Sequence, residues 1–347
     1  MTERPLRWLA FVSAALPPFL TGCGGSQSAL NPQGVQAARL ANLFWLFTGV
    51  CGAIWVLVMI ALAIAIFRRP RAQHHSVDPL VVDVQGERTM AIVVGSLVSL
   101  TALILIAFTF LSYLATRGLA ASGEPLSIEV TGYQWWWNVR YENSDPTQVF
   151  DTANEIHVPI GRPIRIDLRA ADVIHSFWAP TLTGKQDLIP GQDNVLWFTA
   201  KRVGQYRGQC AEFCGWQHAH MAFLVIAEKE ADFQAWRAGQ IRSANSTFDP
   251  DASLAGKPSQ GEHIFMTRGC ALCHAIRGTD AGGRSGPDLT HLASRRALAA
   301  GTLPNTKQDL LAWIADPQSI KPGNKMPKVP MDRSELDALI EYLRTLQ

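Results

Sequence analysis

Cys210-Ala-Glu-Phe-Cys214-Gly-Trp-Gln-His218-Ala-His220-Met221 is the stretch around which the chain is organised. Within twelve residues it gathers two thiols, two imidazoles, a thioether and a carboxylate. Thiolate and thioether are soft ligands, and with imidazole they suit copper. Two cysteines four apart on a tight loop can turn both sulfurs to one side, where each thiolate is able to bridge two metal ions. His218 lies four residues further on and Met221 three beyond that. A second ion needs a second imidazole, and His175, in Asp172-Val-Ile-His175-Ser-Phe-Trp, is the natural candidate. The two cysteines are also open to a disulfide, or to a zinc site with His218. Neither of those explains Met221 or His175. His220 matches no ligand position and reads as a surface or supporting residue.

The pattern Cys-x-x-x-Cys-x-x-x-His-x-x-Met, with His-Ser upstream, resembles the CuA centre of haem-copper oxidase subunit II. The resemblance implies two copper ions sharing the sulfurs of Cys210 and Cys214, each ion with one of His175 and His218. It implies weak outer ligands in the Met221 sulfur and the backbone carbonyl of Glu212. It implies further that the Glu212 side chain reaches a magnesium or manganese ion whose other ligands come from subunit I. Tyr133-Gln-Trp135-Trp136-Trp137 resembles the aromatic segment of the same family, which implies that electrons from cytochrome c enter at Trp135. Successive strand residues face opposite sides, so three adjacent tryptophans are not expected to share one core. For Trp136 and Trp137, packing against the barrel or against lipid headgroups is the alternative reading. Leu182-Thr-Gly-Lys185-Gln-Asp187 resembles the family's contact with the catalytic subunit; a solvated charge pair is the alternative.

A length of 347 residues allows two or three domains, and a net charge of +2 gives no ground for a nucleic-acid partner. Residues 1–23 read as an export signal: Arg4 and Arg7, then the apolar Leu9–Leu20. Its end, Leu20-Thr21-Gly22-Cys23, resembles a bacterial lipobox, which implies cleavage before Cys23 and lipid on that residue; an ordinary signal peptide is the alternative. Two uncharged runs follow within residues 24–120, one at about 40–67 and one at about 90–114. Each exceeds the roughly 20 residues that a spanning helix needs. Arg68-Arg69-Pro70-Arg71 and Arg88 lie between them, so the positive-inside rule puts this loop in the cytoplasm. The expectation is a transmembrane hairpin in a bacterial inner membrane, with everything after it on the outer, periplasmic face. Cys51 sits in the first run and reads as a packed small hydrophobe.

Residues 121–242 change character. Leu126–Val130 and Pro163–Arg169 alternate, Val195–Thr199 and Ala222–Ala227 are short apolar runs, and Gly, Pro and Asp fall between. Strands with such punctuation predict a β-sandwich or barrel. The family resemblance implies a cupredoxin-like Greek-key barrel. Residues 243–258 are small, polar and Pro-containing, and read as a linker.

Residues 259–347 hold Cys270-Ala-Leu-Cys273-His274, the attachment pattern of a c-type haem. A redox Cys-x-x-Cys or half a zinc site are the alternatives. Gly261–Phe265 suggests a short amphipathic helix before it, and Ser334–Leu346 a closing one with Leu336, Leu339, Ile340, Leu343 and Leu346 on one face. The whole resembles an all-α class I cytochrome c. His274 is then one axial ligand of one covalent haem c. A thioether as the other raises the potential, which suits an electron donor to copper. Met326, in Pro322-Gly-Asn-Lys-Met326-Pro327, is preferred to Met331, and Met266 lies too near the attachment cysteines. His263 and His291 are not expected to be ligands. Residues 124–245 carry 11 basic and 14 acidic side chains, and 256–347 carry 12 and 9, opposite signs that favour docking of one part on the other.

Together these readings resemble subunit II of a bacterial cytochrome c oxidase with a fused cytochrome c domain, of the caa(3) kind. The implied partners are subunit I and the other oxidase subunits, cytochrome c or another periplasmic donor, and membrane lipid. Dioxygen reduction is expected in subunit I, because neither apolar run carries a histidine to bind haem or copper. A CuA-type subunit of a nitric oxide reductase, or a structural quinol-oxidase subunit II, are the other readings. The second predicts lost copper ligands, and all are present.

Overall fold

The computed structural model describes residues 25, 27–68, 84–116, 123–244 and 259–347. The expected signal with Cys23, most of the basic loop and most of the linker lie outside the described residues.

Two helices, α1 (Val35–Phe67) and α2 (Val84–Thr116), carry the uncharged runs. Both are long and apolar enough to cross a membrane. Neither has a polar stripe, and past Ala41 their side chains are largely exposed all round, as suits a helix surrounded by hydrocarbon. The hydroxyls of Thr89, Thr101 and Thr109 bond carbonyls one turn back, so they place no unpaired donor on that surface. Phe47 and Phe108 meet edge to face at 5.4 Å. Cys51 is exposed on α1 rather than packed, because no element among the described residues covers that side. Both helices outrun the apolar runs. α1 begins five residues early because its first-turn N–H groups find carbonyls: Val35 donates to Thr199 (3.0 Å) and Ala37 to Leu182 (3.2 Å). α2 takes in Glu87 and Arg88, since charge does not break a helix even where it ends an apolar run.

Ten strands form the sandwich: β1 (Leu126–Tyr133), β2 (Trp136–Tyr141), β3 (Phe150–Ala153), β4 (Glu155–Pro159), β5 (Ile164–Ala170), β6 (His175–Trp178), β7 (Gln186–Leu188), β8 (Asn194–Phe198), β9 (Gly204–Cys210) and β10 (Ala222–Glu228). One sheet runs β3-β2-β1-β5-β8 and the other β4-β10-β9-β6-β7. Both are mixed: β1 pairs parallel with β5, and β10 parallel with β4. Period-2 alternation on β1 and β2 sends Ile128, Val130 and Val139 inward against Phe177 and Phe223 of the facing sheet. This is the sandwich that the alternation predicted, in the cupredoxin-like form that the family resemblance implied. Tyr141 ties the sheets together: its hydroxyl donates to the His157 carbonyl (2.8 Å) and accepts from the His157 N–H (2.7 Å). Helix α3 (Glu230–Ile241) covers one edge with Phe233 and Trp236.

The C-terminal lobe is helical: α4 (Gln260–Thr267), α5 (Lys307–Ala315), α6 (Pro317–Ile320) and α7 (Arg333–Thr345), with a short hairpin, β11 (Ala297–Leu298) and β12 (Leu303–Pro304). Asp332 and Glu335 form a reciprocal capping box that starts α7. The face predicted from the sequence, Leu336 to Leu346, is buried. α4 crosses α7 so closely that a methyl on Gly261 would sit 2.2 Å from the Ala338 carbonyl oxygen. Gly261→Ala therefore overpacks the crossing by about 1–3 kcal/mol, more than the roughly 1 kcal/mol of helix propensity that alanine adds. A lower thermal midpoint of the C-terminal lobe is the expected outcome in calorimetry; an unchanged or raised midpoint contradicts it.

Candidate metal and haem centres

Sheet pairing builds the first centre. β6 lies against β9 with Phe177 opposite Cys210, so His175 at the start of β6 comes beside the end of β9. The chain then loops through Cys214 and a turn at His218–His220, and returns at Met221 into β10. Two backbone bonds pin the loop: Ala211 donates to Ser176 (3.0 Å) and Cys210 to the Met221 carbonyl (2.9 Å).

The two sulfurs stand 3.7 Å apart. A disulfide needs about 2.05 Å, so this pair is not one. His175 Nδ1 lies 3.9 Å from the Cys210 sulfur and His218 Nδ1 3.6 Å from that of Cys214. The Met221 sulfur is 3.8 Å from Cys214, and the Glu212 carbonyl 3.2 Å from Cys210. All six residues named from the sequence come together. Two bridging-capable sulfurs, flanked by one imidazole each and by softer outer donors, fit a pair of copper ions. A tetrahedral zinc site would take the two thiolates and both imidazoles, and leave the thioether without a role. Without metal, the Cys210 thiol is driven well down because the Cys214 thiol hydrogen-bonds its thiolate; that same charge, and burial, push Cys214 up.

Asp172 holds His175 in place. Its Oδ1 takes a 2.9 Å hydrogen bond from His175 Nε2, which leaves the Nδ1 lone pair for the sulfur side. Burial raises the Asp172 carboxyl, but bonds from His175, from the Gln134 and Val173 N–H groups and from Lys325 outweigh it and hold the group well below the usual carboxylate range. Gly132 makes room for the ring: a methyl there would sit 2.8 Å from His175.

Trp135 is buried, and its indole N–H donates to the Cys214 carbonyl at 2.9 Å. Trp137 lies in the sandwich core, edge-on to Phe223 at 5.4 Å. Trp136 is half-buried and stacks on Tyr133 at 4.6 Å. The Glu212 side chain is exposed, as is Lys185, while Asp187 is half-buried.

The second centre is a cavity in the C-terminal lobe, lined by Cys270, Cys273, His274 and Met326 and walled by apolar groups such as Phe265, Leu289 and Leu310. His274 Nδ1 donates to the Pro287 carbonyl at 2.7 Å, which frees Nε2 as a ligand. Burial lowers its pKa, keeping the ring neutral as a ligand must be. A methyl on Gly286 would fall 2.6 Å from the ring, so glycine there is needed to seat it. Met326 is anchored by its N–H to Asn324 Oδ1 (2.8 Å) and its carbonyl to Gln318 Nε2 (2.9 Å). Met331 and Met266 are not among the lining residues. His291 is buried against the Gln240 and Arg242 carbonyls, and His263 is exposed. Paired thiols, a free imidazole nitrogen and a thioether in an apolar cavity fit a covalent haem c.

Comparison with known proteins matches both domains. Residues 143–228 match the profile of the cytochrome c oxidase subunit II periplasmic domain, and 258–347 that of cytochrome c. The chain is 35% identical to cytochrome c oxidase subunit 2 of Alkalihalophilus pseudofirmus over 340 residues, covering 95% of this chain and 94% of that one. It is 31% identical to cytochrome c oxidase subunit 2 of Bacillus subtilis, covering 98% and 97%. The chain belongs to the cytochrome c oxidase subunit 2 family. The crystal structure of the periplasmic domain of cytochrome oxidase subunit II of Bradyrhizobium japonicum covers 35% of this chain and 96% of that one, at 32% identity and a TM-score of 0.32. As a member of the family this chain is the electron-input subunit of a haem-copper oxidoreductase complex and associates with other oxidase subunits. The two domains carry the copper and haem c chemistry of that role. The nitric oxide reductase and quinol-oxidase readings give way to it.

Sequence reasoning missed Asp172 as a functional residue. Its place three before His175 was visible, but a carboxylate near a metal-binding histidine is too common in loops to single out. Asp172→Asn is expected to weaken copper binding by about 10- to 100-fold in a competition titration. The variant is also expected to lower the stability of the metal-free chain at neutral pH. A carboxylate held below its unfolded pKa stabilises above that pKa, so the difference from wild type shrinks as pH falls below about 4. A gap that persists at lower pH contradicts this.

Proposed function

We propose that His175, Cys210, Cys214, His218, Met221 and the Glu212 carbonyl hold a dinuclear CuA centre, and that Cys270, Cys273, His274 and Met326 hold one haem c. The observation that carries the first is the pair of buried sulfurs 3.7 Å apart with an imidazole nitrogen within 4 Å on each side. When bound, the haem and the copper pair supply a one-electron relay from an outside donor towards subunit I, where dioxygen is reduced to water.

The chain's own residues set the conditions for that relay. The β6–β9 pairing fixes Cys210 and His175 on paired strands, and the Gln134 and Trp135 side chains bond the Cys214 carbonyl and hold the loop, so little rearranges when charge changes. Asp172 keeps the Nε2 proton of His175 in place. Pro287 does the same for Nδ1 of His274. Apolar walls keep water from the haem seat. Trp135, bonded to the Cys214 carbonyl, is the point where electrons enter the copper loop. The Glu212 side chain, which is exposed, shares a magnesium or manganese ion with subunit I.

Further proposals concern the rest of the chain. The organisation is a signal over 1–23 with Cys23 lipidated, a membrane hairpin within 24–120, the copper domain at 121–242, a linker at 243–258 and the haem domain at 259–347. The hairpin sits in a bacterial inner membrane with both redox domains on the periplasmic side, and cytochrome c or another periplasmic protein is the donor.

Cys214→Ser is expected to abolish the shared-electron signal of the copper pair in electron paramagnetic resonance while haem stays attached. A retained seven-line type of signal from two equivalent coppers contradicts the bridging role. Met326→Ala is expected to leave haem bound but lower its potential, within the roughly 0.8 V that axial ligands span. An unchanged potential and visible spectrum would reassign the axial ligand to Met331.

A further inference from the structure

Two ionisable side chains are buried where the haem lobe meets the copper lobe, and each reaches into the other lobe. Lys321, 2% exposed, follows α6 in the loop that leads to Met326. Its ammonium donates to the carbonyls of Trp135 (2.8 Å), His220 (2.7 Å) and Ala299 (3.1 Å). The first two belong to the copper lobe. Glu155, 5% exposed at the start of β4, accepts from the N–H groups of Arg296 (2.6 Å) and Ala297 (3.3 Å) in the haem lobe.

A buried charge is tolerated only when its hydrogen bonds are made. An ammonium has three N–H donors, and here there are three carbonyls. Two of them are copper-lobe carbonyls, so the set is complete only when the lobes are together. Neutral contacts surround it: Gln217 Nε2 donates to the Pro322 carbonyl (2.8 Å) and the Ala222 N–H to the Ala300 carbonyl (3.0 Å). One ion pair, Lys325 with Asp172 at 3.2 Å, lies at the more exposed edge. Transient electron-transfer encounters have small, wet contacts; this one is built on buried and satisfied groups.

The contact also covers Trp135, which is 9% exposed, and a methyl on Gly323 of the haem lobe would lie 3.7 Å from its ring. Gln134, Trp135, Trp136 and Asn154 of the copper lobe complete the wall of the cavity that holds His274 and Met326.

We propose that the haem lobe is held permanently on the copper lobe, with Lys321 as the positioning residue. The inference rests on the proposed function only for the identity of what the cavity and the copper loop hold.

The test uses the full chain in detergent, loaded with haem and copper, with a protease site introduced within residues 246–257. After cleavage the wild-type haem lobe is expected to co-elute with the membrane-anchored part at high salt. Lys321→Gln is expected to raise the dissociation constant of the cleaved lobe about 30-fold or more. Glu155→Ala, on the opposite lobe, is expected to release it too, and decides the matter should Lys321→Gln disturb the haem loop. In the uncleaved chain, haem-to-copper electron transfer after photoreduction is expected to be independent of viscosity. It becomes viscosity-dependent in Lys321→Gln with the haem potential unmoved. A wild-type lobe that leaves on cleavage overturns the permanent contact, and a Lys321→Gln lobe retained as tightly as wild type overturns the role of the lysine. Metal content and the copper resonance signal of the same samples report separately on the proposed function.

Discussion

The pairing of β6 with β9 is the constraint on which the copper loop depends. It sets Phe177 opposite Cys210 and so brings His175, from a strand 35 residues upstream, beside the sulfur it is to serve. A slip of one residue would turn His175 to the other face of its sheet. The register is held because Phe177 is fully buried among Trp137 and Phe223, where a slip would expose it. Core packing and ligand placement are therefore the same event: the aromatic core fixes the register, and the register fixes the ligand.

From that point order spreads by hydrogen bonds to His175. Asp172 orients the ring and takes the Gln134 N–H, one residue before Trp135, as well as the ammonium of Lys325, one residue before Met326. One carboxylate thus touches the ligand set of one centre and the side chain next to a ligand of the other. Charge complementarity between the two lobes, expected from their opposite net charges, enters at this ion pair. Most of the contact is made instead by backbone carbonyls and N–H groups that meet Lys321, Glu155 and Gln217. Net charge counts side chains; it does not see the backbone groups that do most of the joining.

Much of the fold was legible because its signals are local. The two uncharged runs mark α1 and α2, although capping contacts and charged turns, which hydropathy ignores, extend both. The alternation of β1 and β5 and the apolar stripe of α7 appear where expected. The tryptophan triplet divides as strand geometry requires, with Trp137 inward and Trp136 on the other face. Trp135 lies outside that rule. It falls before β2 begins, and its burial comes from the copper loop and the haem lobe rather than from a strand face. Cys51 shows the opposite failure: apolar surroundings in sequence do not make a packed site when none of the described residues packs on that side of the helix.

The sequence by itself determined the ligand chemistry. Spacing of thiols, imidazoles and thioethers within short loops is a property of the chain, and a loop of a few residues has few ways to present them. Only the tertiary structure decided which partner holds each ligand and how the two redox lobes meet. Asp172, Lys321 and Glu155 are ordinary charged residues in the sequence. Lys321 and Glu155 acquire their roles because folding buries them, and a buried polar group must take its hydrogen bonds from whatever backbone the fold has brought alongside; Asp172, half-buried, acquires its role from the His175 ring beside it.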